Sequence, residues 1–259
     1  MYREVSSFEE LHEIFRGSDF NRDGVLFRGV GKVSYNLVPK VGRFSRYQEN
    51  LAAGLRKEQG MFNEFKKRAR PLLPIGGSDL KEWEWLALAQ HHGLPTRLLD
   101  WTMNPLVAVY FAVRDLDYSG ESAVYIYKDG RYMGEADWDQ GPFGIKAVSI
   151  YMPAYVATRI VAQSGVFTVH PQPTEKLADE RVSKIVIAGG QVRGELREIL
   201  FRYGITAHSV FPDLDGLAVH QEYSWWQRRT FIDLGLEQGG QMITPNTTAA
   251  ADGYASAEQ

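Results

Sequence analysis

The 259-residue chain contains no cysteine. This absence excludes disulfides, thiolate-bound metals and a cysteine nucleophile, and it is typical of proteins in a reducing compartment. No stretch reaches the roughly 18 consecutive apolar residues of a membrane-spanning helix. The first residues, MYREVSSFEELHEIF, carry acidic side chains where a secretory signal is basic and then apolar. We therefore expect a cytoplasmic protein with no membrane partner.

The chain also lacks a large excess of either charge. Lysine and arginine total 29 and aspartate and glutamate total 32, for a formal net charge of -3. This balance gives no overall attraction to nucleic acid or to an anionic membrane, although a local basic patch stays compatible with it. Hydrophobic residues make up 44% of the chain, enough for one substantial core. One domain is the expectation.

Several familiar catalytic motifs are missing. There is no P-loop, no GxGxxG after a strand, no HExxH and no GxSxG, which removes the commonest NTPase, dehydrogenase, zinc-protease and α/β-hydrolase interpretations. His91 and His92 are adjacent, and neighbouring residues of a helix diverge by about 100° on its surface. They therefore make a poor chelating pair, and we expect no metal.

Apolar periodicity and capping residues predict a mixture of helices and strands. The predicted helices cover residues 6–15, 48–70, 79–93, 106–115 and 195–203, and the predicted strands cover residues 25–29, 97–101, 123–127 and 184–188. The order shows no regular βαβ alternation, which predicts an α+β domain whose central, mostly antiparallel sheet is flanked by helices. We divide the chain into a helical lead-in (1–19), a main domain (20–237) and a flexible tail (238–259).

The run QHHGLPTRLLDWTMNP, residues 90–105, concentrates polar side chains between two apolar segments. We expect Gln90 to His92 to end a helix, and Arg97, Asp100 and Thr102 to face a pocket. A carboxylate among large apolar neighbours must be paired, and Arg28 and Arg97 are the candidate partners. A structural ion pair and a catalytic carboxylate are both open interpretations of Asp100.

Two later runs place long polar groups beside glycine and aromatic residues. Residues 159–170 are predicted to be a helix end that opens into a strand, and residues 211–217 a loop before a final helix. Glycine beside polar groups lets a backbone approach a ligand closely, and it also builds ordinary turns.

Together these segments resemble the FRG domain family, named for its Phe-Arg-Gly signature. The resemblance is carried by Leu26-Phe27-Arg28-Gly29, Tyr35-x-Leu-x-Pro39 with Arg43, Gln90 through Thr102, Asn104-Pro105, Tyr110-Phe111-Ala112, Arg159 through Phe167, and Phe211 through Gly216. It spans roughly residues 20 to 226 and departs from the family at His92, where an aromatic residue is expected. The family implies a bacterial or phage accessory or effector protein, in some cases part of anti-phage defence with partner proteins.

A second resemblance, to ADP-ribosyltransferases, suggests a reaction. Phe27-Arg28-Gly29 is similar to the end of their early strand, and Thr96 through Thr102 leading into Ala108–Ala112 is similar to their second element. No Glu-x-Glu or Gln-x-Glu stands at the expected late position, so Asp213, Asp215 or Glu195 would supply the acid. The resemblance implies an ADP-ribosyltransferase-like core with NAD as co-substrate, and transfer of ADP-ribose to a protein or nucleic acid, or hydrolysis of NAD.

This chemistry requires a cation for the diphosphate, an aromatic ring for the nicotinamide and a carboxylate near the developing positive charge. The catalytic residues that we predict are Arg28, Asp100, Gln163 and Asp213. The predicted NAD-binding residues are Arg28, Gly29, His91, Thr96, Arg97, Thr102, Phe111, Arg159 and Phe167. For the aromatic residues, core packing is the competing interpretation.

An alternative of another class is a non-enzymatic module that binds nucleic acid, a nucleotide or a protein. It relies on the basic clusters Lys66-Lys67-Arg68-x-Arg70 and Arg228-Arg229, the latter close to Trp225-Trp226. A third possibility, a metal-dependent nuclease, has only Asp213 and Asp215 in its favour.

Overall fold

A computed structural model describes residues 2–17, 20, 24–73, 79–153 and 158–227. The strands are β1 (Tyr2–Val5), β2 (Leu26–Val30), β3 (Leu98–Thr102), β4 (Ser122–Tyr127), β5 (Ser149–Tyr151), β6 (Gly165–Val169) and β7 (Val182–Ile187). The helices are α1 (Phe8–Arg16), α2 (Ser45–Glu49), α3 (Leu51–Ala69), α4 (Glu82–His91), α5 (Pro105–Val113), α6 (Glu135–Gln140), α7 (Thr158–Ala162), α8 (Gln191–Arg202), α9 (Ala207–Val210) and α10 (Leu214–Glu222). Within these residues, no helix combines the length and the apolar character needed to cross a membrane.

One sheet contains all seven of these strands, in the order β1-β7-β4-β2-β3-β6-β5. Every neighbouring pair is antiparallel except β1 and β7, which are parallel. The predicted α+β class with a mostly antiparallel sheet is therefore confirmed. The four predicted strands are all present, and so is the strand predicted at the end of residues 159–170, which is β6. Strands β1 and β5 were not predicted, and β1 comes from the segment assigned to the lead-in.

The sheet is nearly split between β2 and β3. Strand β2 pairs with β4 along its whole length, and β3 pairs with β6 along its whole length. Between β2 and β3 the register contains a single pair, Phe27 opposite Thr102. The two halves of the sheet therefore diverge from this point, and the space between them is open to other groups.

Helix α5 covers the β2 side of this split. Asn104 caps it by accepting hydrogen bonds from the main-chain N–H groups of Leu106 and Val107, and Pro105 occupies its first turn, as predicted. The helix lies so close to β2 that a Cβ atom on Gly29 would stand 1.8 Å from the carbonyl oxygen of Ala108. Gly29 is thus required for packing of the helix against the strand.

Several predicted helix boundaries were wrong, for local reasons. The helix predicted for residues 48–70 is interrupted at Asn50, whose side chain caps α3 by accepting a hydrogen bond from the N–H of Ala53. Helix α4 begins at Glu82 because the N–H of Lys81 donates to the Glu84 carboxylate. Helix α8 begins four positions earlier than predicted, at Gln191. The tail predicted at 238–259 lies outside the described residues.

A buried polar chain supports β3 and β6. Trp101 Nε1 donates to Thr168 Oγ1 at 3.0 Å, and Thr168 Oγ1 lies 2.9 Å from His170 Nε2. The Thr168 hydroxyl accepts from the tryptophan, and its own hydrogen is free to be donated to Nε2 of a neutral imidazole. Burial, and secondarily Arg28 and Arg97, lower the pKa of His170 to about 3.

This histidine makes stability depend on pH. Its pKa is about 3 in the folded protein and 6.5 as a model value, so between these limits only the unfolded chain binds the proton. The free energy of unfolding should therefore fall as the pH drops below 6.5, by up to about 1.4 kcal/mol per pH unit from this residue. Urea unfolding of wild type and of His170→Gln at about pH 7 and about pH 5 measures the effect. The wild type should lose more stability, and parallel losses would contradict the assignment.

Candidate functional site

The split between β2 and β3 opens into a cleft of about 870 Å³. It is lined by residues of β2, β3, α4, α5, α7 and α10, so both halves of the sheet contribute. Its volume lies near the upper end of the roughly 300–1,000 Å³ found for small-molecule and cofactor sites. The charged side chains of its lining include Arg28, Arg43, Asp100, Arg114, Arg159 and Asp215.

Arg28 bridges the split and pairs with Asp100. Its Nη1 donates to the main-chain carbonyl of Asp100 and lies 3.3 Å from the carboxylate Oδ2. The Arg28 side chain is 17% exposed, whereas that of Asp100 is 55% exposed. Strand β3 turns this one side chain towards the cleft, whereas its neighbours in the strand are buried.

Gln90, in the last turn of α4, holds the other oxygen of the same carboxylate. Its Nε2 donates to Asp100 Oδ1 at 2.9 Å, and its Oε1 accepts from Thr96 Oγ1 at 2.6 Å. Thr96 itself is buried and does not line the cleft. It contacts the site only through Gln90.

Arg97 lies elsewhere, which corrects the prediction that it faces the pocket. Its guanidinium donates from Nε and Nη2 to the carboxylate of Glu58 on α3, at 3.0 and 2.7 Å, and stacks 4.7 Å from the centroid of Phe143. Tyr47 completes the group by donating to Glu58, and burial together with that carboxylate raises the pKa of the phenol. Arg97 and Glu58 have side chains only 1% and 2% exposed, so they form a structural ion pair.

A second part of the cleft lining combines arginines with aromatic rings. Phe111 and Phe211 meet edge to face with centroids 5.8 Å apart. The Arg114 guanidinium lies 5.4 Å from the first ring and 5.5 Å from the second, and Arg159 lies 4.7 Å from Phe211. This cluster presents planar apolar surfaces next to cations, a combination that suits a flat ring carrying a nearby anion.

Asp213, a predicted catalytic acid, has structural contacts on both oxygens. Oδ1 caps α10 by accepting the N–H of Gly216 at 2.8 Å, and Oδ2 pairs with Arg159 at 2.6 Å. The backbone hydrogen bond, followed by the arginine, lowers the pKa of this carboxyl. It does not line the cleft, although Asp215 does. Glu195, another candidate acid, lies on α8 and also does not line it.

Gln163 and Thr102 connect the cleft to the surrounding elements. Thr102 Oγ1 donates to the carbonyl of Gln163 at 2.6 Å, and Gln163 Nε2 donates to the carbonyl of Val210 at 3.2 Å. Both residues line the cleft. Phe167 lies opposite Asp100 in the β3–β6 register and is 4% exposed, so it forms part of the floor.

His91 lines the cleft beside the Arg159–Asp213 pair. Burial lowers its pKa, with smaller contributions from His92 and Arg159 against an opposing one from Asp213. The ring is therefore neutral at neutral pH. Its ring contacts that of His92 edge to face, with 4.7 Å between the centroids.

The predicted site left out several residues of the cleft, among them Tyr35, Arg43, Gln90, Arg114 and Phe211. Arg43 donates from Nε to the carbonyl of Val38, and burial together with the Arg28 charge lowers the pKa of its guanidinium. All of these except Arg114 lie within the segments quoted for the family resemblance. The family motifs could therefore have pointed to them, whereas their contacts with other residues are visible only in the structure. Within the described ranges, no group of three or more histidine, aspartate or glutamate side chains could hold a metal ion.

The segment that contains Arg28 and Asp100 matches a known protein family. Residues 23–120 match the family described as FRG domain, from just before β2 to just before β4. The matched segment carries the Arg28–Asp100 pair and Gln90, whereas Arg159 and Asp213 follow it. No curated protein and no solved structure matches the chain. The resemblance seen in the sequence is confirmed for this segment, residues 23–120.

Proposed function

We propose that the cleft binds NAD and that the protein breaks the bond between nicotinamide and ribose, passing ADP-ribose to a macromolecule or to water. The observation that carries this proposal is the pair at the split of the sheet. A cation, Arg28, and a half-exposed carboxylate, Asp100, lie side by side in a cleft large enough for a dinucleotide.

The Arg28 end of the cleft suits a diphosphate. Arg28 and Arg43 lie close enough for the charge of one to lower the pKa of the other, and Asp100 is the carboxylate that offsets them. Within the described part of the chain, Nε of Arg28 is buried without a hydrogen-bond partner, which leaves the guanidinium with unused donor capacity. Arginine is the side chain best matched to phosphate oxygens, because its planar fork donates two parallel hydrogen bonds.

The aromatic end suits one of the two rings of NAD. Phe111 and Phe211 offer ring faces and edges, and the neighbouring Arg114 and Arg159 lie within 5.5 Å of the Phe211 centroid. Stacking of a flat heterocycle on aromatic side chains stabilises binding by about 1–3 kcal/mol per base in nucleic-acid complexes. These contacts support a planar ring in this part of the cleft.

In the proposed reaction, the bond between ribose C1 and the nicotinamide nitrogen breaks, and its electron pair stays on nicotinamide. Positive charge develops on the ribose and is stabilised by the Asp100 carboxylate, which faces the cleft. An oxygen or nitrogen nucleophile of the acceptor, or water, then bonds to C1, and its proton leaves to solvent. The products are nicotinamide and ADP-ribosylated acceptor, or nicotinamide and ADP-ribose.

The biological setting is proposed on the FRG family alone. Members of this family are implied to be effectors or accessory proteins of bacteria and phages. We place the present protein in anti-phage defence or in a toxin setting, where consumption of NAD or modification of a macromolecule would arrest growth.

The test uses NAD labelled in its adenylate half, with purified protein and a cell extract as the source of acceptor. The wild type should release nicotinamide, and Asp100→Asn should lower the rate by about 100-fold because the stabilising charge is lost. Glu198→Ala is the matched control, since that carboxylate pairs with Arg202 on the exposed face of α8. No nicotinamide release and no NAD binding by calorimetry would overturn the proposal.

Nucleic-acid binding without catalysis is the second candidate. It is favoured by Trp225 and Trp226, whose side chains are 66% and 84% exposed at the end of the described chain. The basic cluster of α3 weakens it, because Lys66 pairs with Glu82 and Arg68 with Glu64. Binding that weakens steeply with salt and does not depend on Arg28 would favour this candidate.

A further inference from the structure

We infer that Gln90 is a positioning residue that fixes the orientation of the Asp100 carboxylate, and that the Thr96 hydroxyl fixes Gln90. The inference rests on the proposed function, because it concerns the carboxylate assigned to ribose. It assigns roles to two side chains that do not themselves carry the charge. Three hydrogen bonds connect Leu98, Thr96, Gln90 and Asp100 in one chain.

The main chain determines which group donates and which accepts in these hydrogen bonds. The N–H of Leu98 donates to Thr96 Oγ1 at 3.1 Å, and a main-chain N–H cannot act as an acceptor. The single hydrogen of the hydroxyl is therefore free to point at Gln90 Oε1, 2.6 Å away. With its oxygen committed to Thr96, the Gln90 amide must turn its Nε2 hydrogens towards Asp100 Oδ1, 2.9 Å away.

The consequence for Asp100 follows from its second partner. Arg28 approaches Oδ2 at 3.3 Å, and this contact alone allows the carboxylate to rotate about the Cβ–Cγ bond towards the guanidinium. Gln90 holds Oδ1 in place and so opposes that rotation. The carboxylate keeps one orientation relative to the cleft, which is the condition for stabilising charge at a fixed point.

The supporting elements are rigid. Gln90 lies in the last turn of α4. In this helix every residue from Trp83 to Ala89 except Glu84 is buried. Thr96 is 1% exposed, and its main-chain carbonyl accepts the N–H of Val41. Both residues therefore start from fixed positions, and little entropy is lost when the three hydrogen bonds form.

The kinetic test separates positioning from binding. Gln90→Leu should lower kcat by about 10- to 100-fold while KM for NAD changes by less than about twofold, since Arg28 still binds the diphosphate. Thr96→Val should reproduce most of this loss, and Thr96→Ser, which keeps the hydroxyl, should restore activity. The double variant should be no slower than Gln90→Leu alone, because both changes break one chain. Additive losses, or a rise in KM without loss of kcat, would overturn the inference.

A second readout does not need turnover. The side-chain amide resonances of Gln90 in ¹⁵N-labelled protein should shift in Asp100→Asn and in Thr96→Val. Those of Gln140, which donates to the carbonyl of Ala136 on α6, should not. If the wild type releases no nicotinamide but these shifts occur, the proposed function fails and the positioning of Asp100 stands. Unchanged Gln90 resonances would refute the positioning role, whatever the activity.

Discussion

Replacing Arg28 with lysine should lower kcat/KM for NAD by about 100-fold, and replacing it with alanine by about 1,000-fold. The structural reason is that Arg28 spans the split in the sheet and is the cleft arginine that contacts Asp100. Lysine keeps the charge but loses the planar fork that donates to two phosphate oxygens. Each charge-assisted hydrogen bond contributes about 1.5–3 kcal/mol, which corresponds to the expected losses.

The measurement is nicotinamide release as a function of NAD concentration, together with calorimetric binding of NAD. Arg202→Ala is the matched control, because this arginine also pairs with a carboxylate, Glu198, at 3.0 Å, but on exposed α8. It should retain wild-type kinetics. Arg28→Ala with unchanged kcat/KM would show that Arg28 does not bind NAD, and it would remove the assignment of the diphosphate to this residue.

Glu58→Ala should be the most destabilising of these changes, lowering the free energy of unfolding by about 3–5 kcal/mol. Glu58 is 3% exposed, and its carboxylate accepts two hydrogen bonds from Arg97 and one from Tyr47. Without it, the Arg97 charge remains buried against Phe143 with no counterion. An uncompensated buried charge costs far more than the intact ion pair contributes.

Urea unfolding measures this effect, and a double variant identifies its cause. Replacing both partners, Glu58→Leu with Arg97→Met, should recover most of the lost stability because no buried charge is left. The exposed pair of α8 is the control, since Glu198→Ala should change stability by less than about 1 kcal/mol. A double variant as unstable as Glu58→Ala would show that packing, and not the unpaired charge, causes the loss.

Much of the secondary structure could be predicted from local sequence. The Asn104-Pro105 pair predicts the start of α5 because a side-chain cap and a proline act on adjacent residues. The short, mostly apolar runs that form β2 and β3 are likewise visible in the local sequence. The predicted start of a helix was less accurate where its N-cap is an unusual residue, as Lys81 is for α4. It was also less accurate where an asparagine within a predicted helix caps a new helix, as Asn50 does for α3.

The partners of charged residues could not be predicted in the same way. Arg28 and Arg97 were equal candidates for Asp100, because both are arginines near the same motif. Arg97 pairs with Glu58, 39 residues away on α3, and only the packing of that helix decides this. Asp213 was predicted to be an acid of the site, whereas its position at the start of α10 makes it a cap.

The sequence by itself determined the resemblance of residues 23–120 to the FRG domain, the α+β class and the concentration of polar side chains in residues 90–105, since these depend on residue types and short spacings. The tertiary structure alone decided that β2 and β3 diverge after one pair and that Gln90 contacts Asp100. The physical reason is distance along the chain. Such contacts form between segments tens of residues apart, and their geometry depends on how the whole sheet and its helices pack.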